Sequence, residues 1–121
     1  MTTILGSARP PPGTFLSRLD ELADPGSKGF RFRAGDAMFA GFLVLKEGVL
    51  HGYVDACPHA GWPLGRFDGG FLTRENDFVY CAGHGALFRI EDGRCMAGPG
   101  GGPLTAWPVQ VVDGLVMTAA W

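Results

Sequence analysis

Two short stretches decide how this chain is read: Cys57-Pro58-His59-Ala60-Gly61 and Cys81-Ala82-Gly83-His84-Gly85-Ala86-Leu87-Phe88, with 21 residues, Ala60 to Tyr80, between His59 and Cys81. In each, one or two residues separate a cysteine from a histidine, and glycine follows the histidine within two residues. Two of the three cysteines and two of the three histidines fall in the seven positions Cys57 to His59 and Cys81 to His84. A lone cysteine or histidine is ordinarily core or surface; two matched pairs point to ligation. Two thiolates and two imidazoles can hold a tetrahedral zinc, or a diiron cluster whose histidines sit on one of the irons. Zinc fingers commonly place cysteine with cysteine and histidine with histidine. Here each stretch offers one of each, an arrangement that suits the cluster better than zinc.

Outward from these stretches the pattern is one of short strands divided by turn signals. Phe30 and Phe32 alternate with Arg31 and Arg33, Ala37 to Leu45 reads as a buried strand, and Lys46-Glu47-Gly48 turns the chain into Leu50 to Asp55. Phe78 to Cys81 and Ala86 to Ile90 flank the second stretch. Val109 to Val112 and Leu115 to Ala119 form a hairpin about Asp113-Gly114, which supplies the positive φ angles such a turn needs. Phe15 to Leu22 fits a short helix or a strand with a turn at Asp20-Glu21. The chain therefore reads as all-β, with residues 1–13 an extended, poorly ordered lead-in and residues 14–121 one domain.

Composition narrows the classes further. Of 121 residues, 20 are glycine and 9 proline, yet 46% are hydrophobic and only 18% charged, the opposite of a disordered balance. Eleven of the glycines lie between Gly61 and Gly102, where backbone passing close to a metal centre would use them; the other nine read as ordinary turns. The net charge of −2, with ten dispersed basic residues, excludes a nucleic-acid or anionic-membrane surface. No run approaches the roughly 18 apolar residues of a membrane span, and Met1 to Gly13 lacks a secretory pattern, so the expected compartment is cytoplasmic.

The two stretches resemble the ligand boxes of Rieske [2Fe-2S] proteins, C-P-H-A-G and C-A-G-H-G-A-L-F, and the resemblance extends over about residues 15 to 119. It implies stacked small antiparallel sheets with two cluster-binding loops, and one [2Fe-2S] cluster with Cys57 and Cys81 on the inner iron and His59 and His84 on the outer. It also implies that Gly98-Pro99-Gly100-Gly101-Gly102-Pro103 is the proline loop covering the cluster. Respiratory and photosynthetic members carry a further cysteine in each box; here Trp62 and Gly83 stand in those places, and the remaining Cys95 is expected to be a small buried apolar residue. Ala86 stands where the high-potential group has a hydroxyl, which places the potential toward the low end of the roughly −150 to +300 mV Rieske span.

By this resemblance the chain is similar to soluble ferredoxins that carry one electron from a flavoprotein reductase to a terminal oxygenase of the aromatic-ring hydroxylating dioxygenase type. The resemblance implies an electron-transfer component that is not itself an enzyme. Only His51 remains for a mononuclear iron site, and no G-x-G-x-x-G binds a nicotinamide or flavin. The alternatives are a Rieske-type small subunit of a larger reductase such as nitrite reductase, and a structural zinc or interaction module. The segment Ala60 to Tyr80 is longer than is usual in such ferredoxins, either altering partner docking or forming an inert excursion. Trp62, Pro63 and Leu64 are expected to make an apolar rim for a redox partner.

Overall fold

The computed structural model describes residues 8–58, 63–65, 70–81, 85–98 and 102–121. Among these residues nine strands form three three-stranded antiparallel sheets. In the first, β2 (Gly26–Ala34), β3 (Ala37–Lys46) and β4 (Val49–Val54) form a meander. The second holds β5 (Phe78–Tyr80), β6 (Leu87–Arg89) and β7 (Cys95–Ala97); in the third, β9 (Leu115–Thr118) lies between β1 (Phe15–Arg18) and β8 (Val109–Val112). The all-β, stacked-sheet expectation is met, and among the described residues no helix is long and apolar enough to cross a membrane.

The central element is β3, and its sequence explains its place. Strand side chains alternate between faces, and β3 is apolar on both. Phe42 and Val44 point into one core with Tyr53, Phe71, Phe88, Cys57 and Cys81. Phe39 and Leu43 point the other way, into a second core with Trp107, Leu16 and Val116. The unbroken apolar run Ala37 to Leu45 is thus a strand buried between two cores.

Trp107 organises the second core. Its ring meets Phe30, Phe32 and Phe39 at centroid distances of 6.1, 6.3 and 5.4 Å. Room for it comes from glycine: a Cβ on Gly41 would lie 2.5 Å from the Trp107 ring, and one on Gly52 would lie 2.5 Å from the Trp107 carbonyl oxygen. The nine glycines outside 61–102 are therefore not all turn residues. Gly41 and Gly52 are mid-strand positions kept bare for a close approach.

The turns follow the sequence reading. Glu47 (φ 53°) with Gly48 (φ 78°) and Asp113 (φ 51°) with Gly114 (φ 77°) form two-residue hairpin loops of positive φ. The first is fastened from outside, Asp24 accepting the Glu47 and Gly48 N–H groups at 2.8 and 2.9 Å. Between the two readings of Phe15 to Leu22, the strand and turn prevails: β1 pairs with β9, and a 3-10 turn over Leu19–Glu21 closes it where Glu21 accepts the Arg18 N–H.

Two expectations need correction. Residues 8–13, read as loose, are fastened to β9: the Gly13 N–H donates to the Thr118 carbonyl at 2.8 Å, the Thr118 hydroxyl donates to the Pro11 carbonyl at 2.7 Å, and Ala8 is buried. The long segment between the boxes is not an inert excursion in its second half. Phe71 stacks on Phe42 with centroids 4.3 Å apart and planes within 5°, Leu72 is buried and bridges to Val79, and a turn follows with Asn76 at φ 59°.

The Tyr53 hydroxyl donates to the Ile90 carbonyl across the first core. Burial first, then the Asp92 and Glu91 charges, push its phenol up to about 12 from the ordinary 10.0, with Arg89 opposing. A pKa raised on folding gives stability that is complete below the unfolded value and is lost as pH rises from about 10 through about 12. Tyr53→Phe should lower stability at pH 7 by about 1 kcal/mol and flatten its decline over that alkaline window, read by denaturant unfolding against pH. Gly41→Ala should cost about 3 kcal/mol in the same assay, the upper range for overpacking a core.

Candidate metal centre

The first box is carried at the end of β4. Asp55 leaves the strand with its N–H on the Ala40 carbonyl at 2.9 Å, and Ala56 follows with its N–H on the Val54 carbonyl at 2.9 Å. Cys57 then turns into the first core, 1% exposed, while Pro58 faces solvent. The loop re-enters the core at Leu64, whose N–H donates to Asp55 Oδ1 at 2.7 Å. Burial raises the Asp55 carboxyl above the ordinary carboxylate range, against the opposing Leu64 N–H and the Arg31 charge.

The second box is the loop of the β5–β6 hairpin. Tyr80 pairs with Leu87, the Cys81 N–H donates to the Ala86 carbonyl at 2.9 Å, and the Gly85 N–H donates back to the Cys81 carbonyl at 2.8 Å. Gly85 takes φ 76°, a conformation that disfavours side chains. Cys81 is fully buried, as are Ala86 and Phe88 beside it.

Cys57 and Cys81 thus come from two different sheets into one apolar cluster, together with Leu64, Ala86 and Phe88. No disulfide joins cysteines among the described residues. Two buried thiols converging from separate loops fit the sulfur half of a site with two thiolate ligands on one iron. His59 and His84 lie outside the described residues, as do Trp62, Gly61 and Gly83.

The segment expected to cover the centre begins where that role requires. Gly98 takes φ 80°, and a Cβ there would lie 2.8 Å from Ala86 Cα and 3.1 Å from the Gly85 carbonyl oxygen, so its backbone lies directly on the second box. Residues 99–101 are outside the described set; beyond them, the Leu104 N–H anchors the chain to the Gly93 carbonyl at 2.9 Å.

Two side chains depart from their sequence reading. Leu64, placed on an exposed apolar rim, has no exposed surface because it is a core residue that returns the first loop to the protein; Pro63 before it is exposed. Cys95 is only partly buried, with its sulfur 3.6 Å from the Ala97 carbonyl, because it sits on β7 at the margin of the first core. Asp55 escapes a reading built on cysteine and histidine spacing. Its signal was a single carboxylate in the otherwise apolar stretch Val54-Asp55-Ala56-Cys57.

The chain matches the family described as Rieske [2Fe-2S] domain over residues 16–108. No curated protein sequence matches it significantly. Among solved structures it is similar to the ferredoxin of carbazole 1,9a-dioxygenase from Nocardioides aromaticivorans IC177, at 22% identity and a TM-score of 0.71, covering 92% of this chain and 100% of that one. The Sphingomonas yanoikuyae B1 ferredoxin matches at 23% identity and 0.64, over 90% and 99% of the two chains. A chain from the complex of reduced oxygenase and oxidized ferredoxin in carbazole 1,9a-dioxygenase matches at 21% identity and 0.65, over 87% and 90%. At these identities the likeness establishes the fold.

The contact beneath Gly98 is open to test. Gly98→Ala should destabilise the protein by about 2–3 kcal/mol, from positive φ and a displaced neighbour together, whereas Gly13→Ala, at φ 86° with open space around it, should cost only about 1 kcal/mol. Equal losses in parallel denaturant titrations would mean that the segment does not rest on the second box.

Proposed function

Because the chain belongs to the Rieske [2Fe-2S] domain family, which implies a [2Fe-2S] cluster, we infer that it is a one-electron carrier passing electrons from a flavoprotein reductase to a terminal oxygenase of the aromatic-ring hydroxylating type. When bound, the cluster would supply a site that accepts and releases a single electron. In this reading residues 14–121 are the Rieske domain, Cys57 and Cys81 hold the inner iron, and His59 and His84 hold the outer. The observation that carries it is the convergence of two buried cysteines from separate loops inside a family match covering 16–108.

The described residues contribute to such a carrier in three ways. Cys57 and Cys81 sit where water is excluded, so electron-rich sulfur is held in a low-dielectric surrounding. Fully buried Ala86 offers no hydroxyl hydrogen bond, which keeps the reduced, more negative state less stabilised and the potential toward the lower Rieske range. The backbone of Gly98 rests against Gly85 and Ala86 of the second box, and the Leu104 N–H fixes the chain to the Gly93 carbonyl.

Three neighbours bear on the oxygenase partner. The proteins whose full length this chain spans are named as ferredoxins, one of them of carbazole 1,9a-dioxygenase, and a similar chain comes from a ferredoxin–oxygenase complex. The full chain, anaerobically reduced, should therefore be reoxidised in a rapid second-order reaction by a Rieske-type terminal oxygenase and should itself convert no aromatic substrate. Failure to exchange electrons with any such oxygenase, alongside rapid exchange with a nitrite reductase, would overturn the assignment. His84→Cys should retain a cluster at lower midpoint potential, since thiolate donates more charge than imidazole; an unchanged potential in a voltammetric titration would remove His84 from the ligand set.

A further inference from the structure

The two ligand loops are closed by different means. The second is closed by backbone alone, with Cys81 and Ala86 bonded across the mouth of the β5–β6 hairpin. Among the described residues no strand pairs with 63–65, and the bond that closes the first comes from a side chain. Its outgoing end is fixed by the Asp55 N–H on Ala40, and its returning end is fixed to the Asp55 side chain. Pro63 has no N–H, so Leu64 offers the first donor at the point where the loop re-enters the core.

We propose that Asp55 is a positioning residue for the metal centre: its carboxylate, by accepting the Leu64 N–H, clasps both ends of the first loop and thereby fixes Cys57 relative to the second box. This rests on the reading of Cys57 and His59 as ligands. The bond spans nine positions at 2.7 Å, and Leu64 is fully buried in the cluster that contains Cys57. A buried N–H without an acceptor is costly, so loss of the carboxylate releases the loop end rather than leaving Leu64 in place. The ligand two residues from the clasp then loses its fixed position, and metal centres depend on such supporting bonds for retention.

The protein contains a matched control. Asp24 fastens the β3–β4 turn through the Glu47 and Gly48 N–H groups in the same manner, and none of these residues belongs to either box. In the full chain, Asp55→Ala should lose iron to a chelator at least tenfold faster than wild type and broaden the electron paramagnetic resonance signal of the reduced protein. Asp55→Asn, which keeps an acceptor oxygen, should restore both, and Asp24→Ala should leave both unchanged. Wild-type iron retention and signal in Asp55→Ala would overturn the proposal, as would an Asp55→Asn protein no better than Asp55→Ala.

Hydrogen exchange separates the clasp from the cluster. The Leu64 amide should be protected in the wild-type chain and exchange at least tenfold faster in Asp55→Ala, or, if that variant does not fold, should remain protected in Asp55→Asn. An unprotected Leu64 amide in wild type would refute the clasp. A wild-type chain that binds no iron but protects Leu64 would overturn the cluster reading while sustaining the loop closure.

Discussion

Burial of β3 on both faces is the constraint on which the rest depends. Within Ala37–Lys46, Phe39 and Phe42 to Val44 are buried and must find apolar partners above and below, and the fold supplies them with two separate cores. Phe42 and Val44 build the core that receives Cys57 and Cys81, while Phe39 and Leu43 build the one that seats Trp107. A strand in this position cannot slip by one residue, because each side chain would exchange cores. The register of β4 on β3, and with it the point at which Asp55 and Cys57 leave the sheet, is held by that requirement.

Trp107 couples the two halves. The Trp107 N–H donates to the Gly52 carbonyl at 2.9 Å, and just before it the Thr105 carbonyl accepts the Val54 N–H at 2.8 Å, one residue ahead of Asp55. The chain that descends from the 98–104 segment is thereby laced along β4, toward the origin of the first loop. A segment that begins on the second box ends by bracing the strand that leads into the first. The described ends of the two boxes are thus held by a sheet, a hairpin and this returning segment.

Much of this was legible in the sequence, and the parts that were not share a physical cause. The strands β2, β3 and β4, the hairpins at Glu47-Gly48 and Asp113-Gly114, and both cysteine-bearing stretches follow from alternation, turn chemistry and ligand spacing, which are local properties. Leu64 was misplaced because an apolar residue beside a ligand box looks the same whether it faces a partner or a core. Phe71, within the long Ala60 to Tyr80 segment, gave no local sign of its role because its stack on Phe42 joins residues far apart in the chain. Gly41 and Gly52 did carry a signal, since glycine inside an apolar strand marks close approach, but Trp107 as the approaching group could be known only from the assembled sheets. The fastening of residues 8–13 to Thr118 and the closure of the first loop by Asp55 are likewise long-range hydrogen bonds with no local pattern.

Whether the two buried cysteines, with His59 and His84, hold a [2Fe-2S] cluster separates an electron carrier from a structural zinc module. Anaerobic preparation of the full chain followed by metal and sulfide analysis and low-temperature electron paramagnetic resonance addresses this most directly. The predicted result is a red-brown protein with about two irons and two sulfides per chain and, on reduction, the rhombic signal of a histidine-ligated cluster. A colourless protein carrying about one zinc per chain and giving no signal would contradict it.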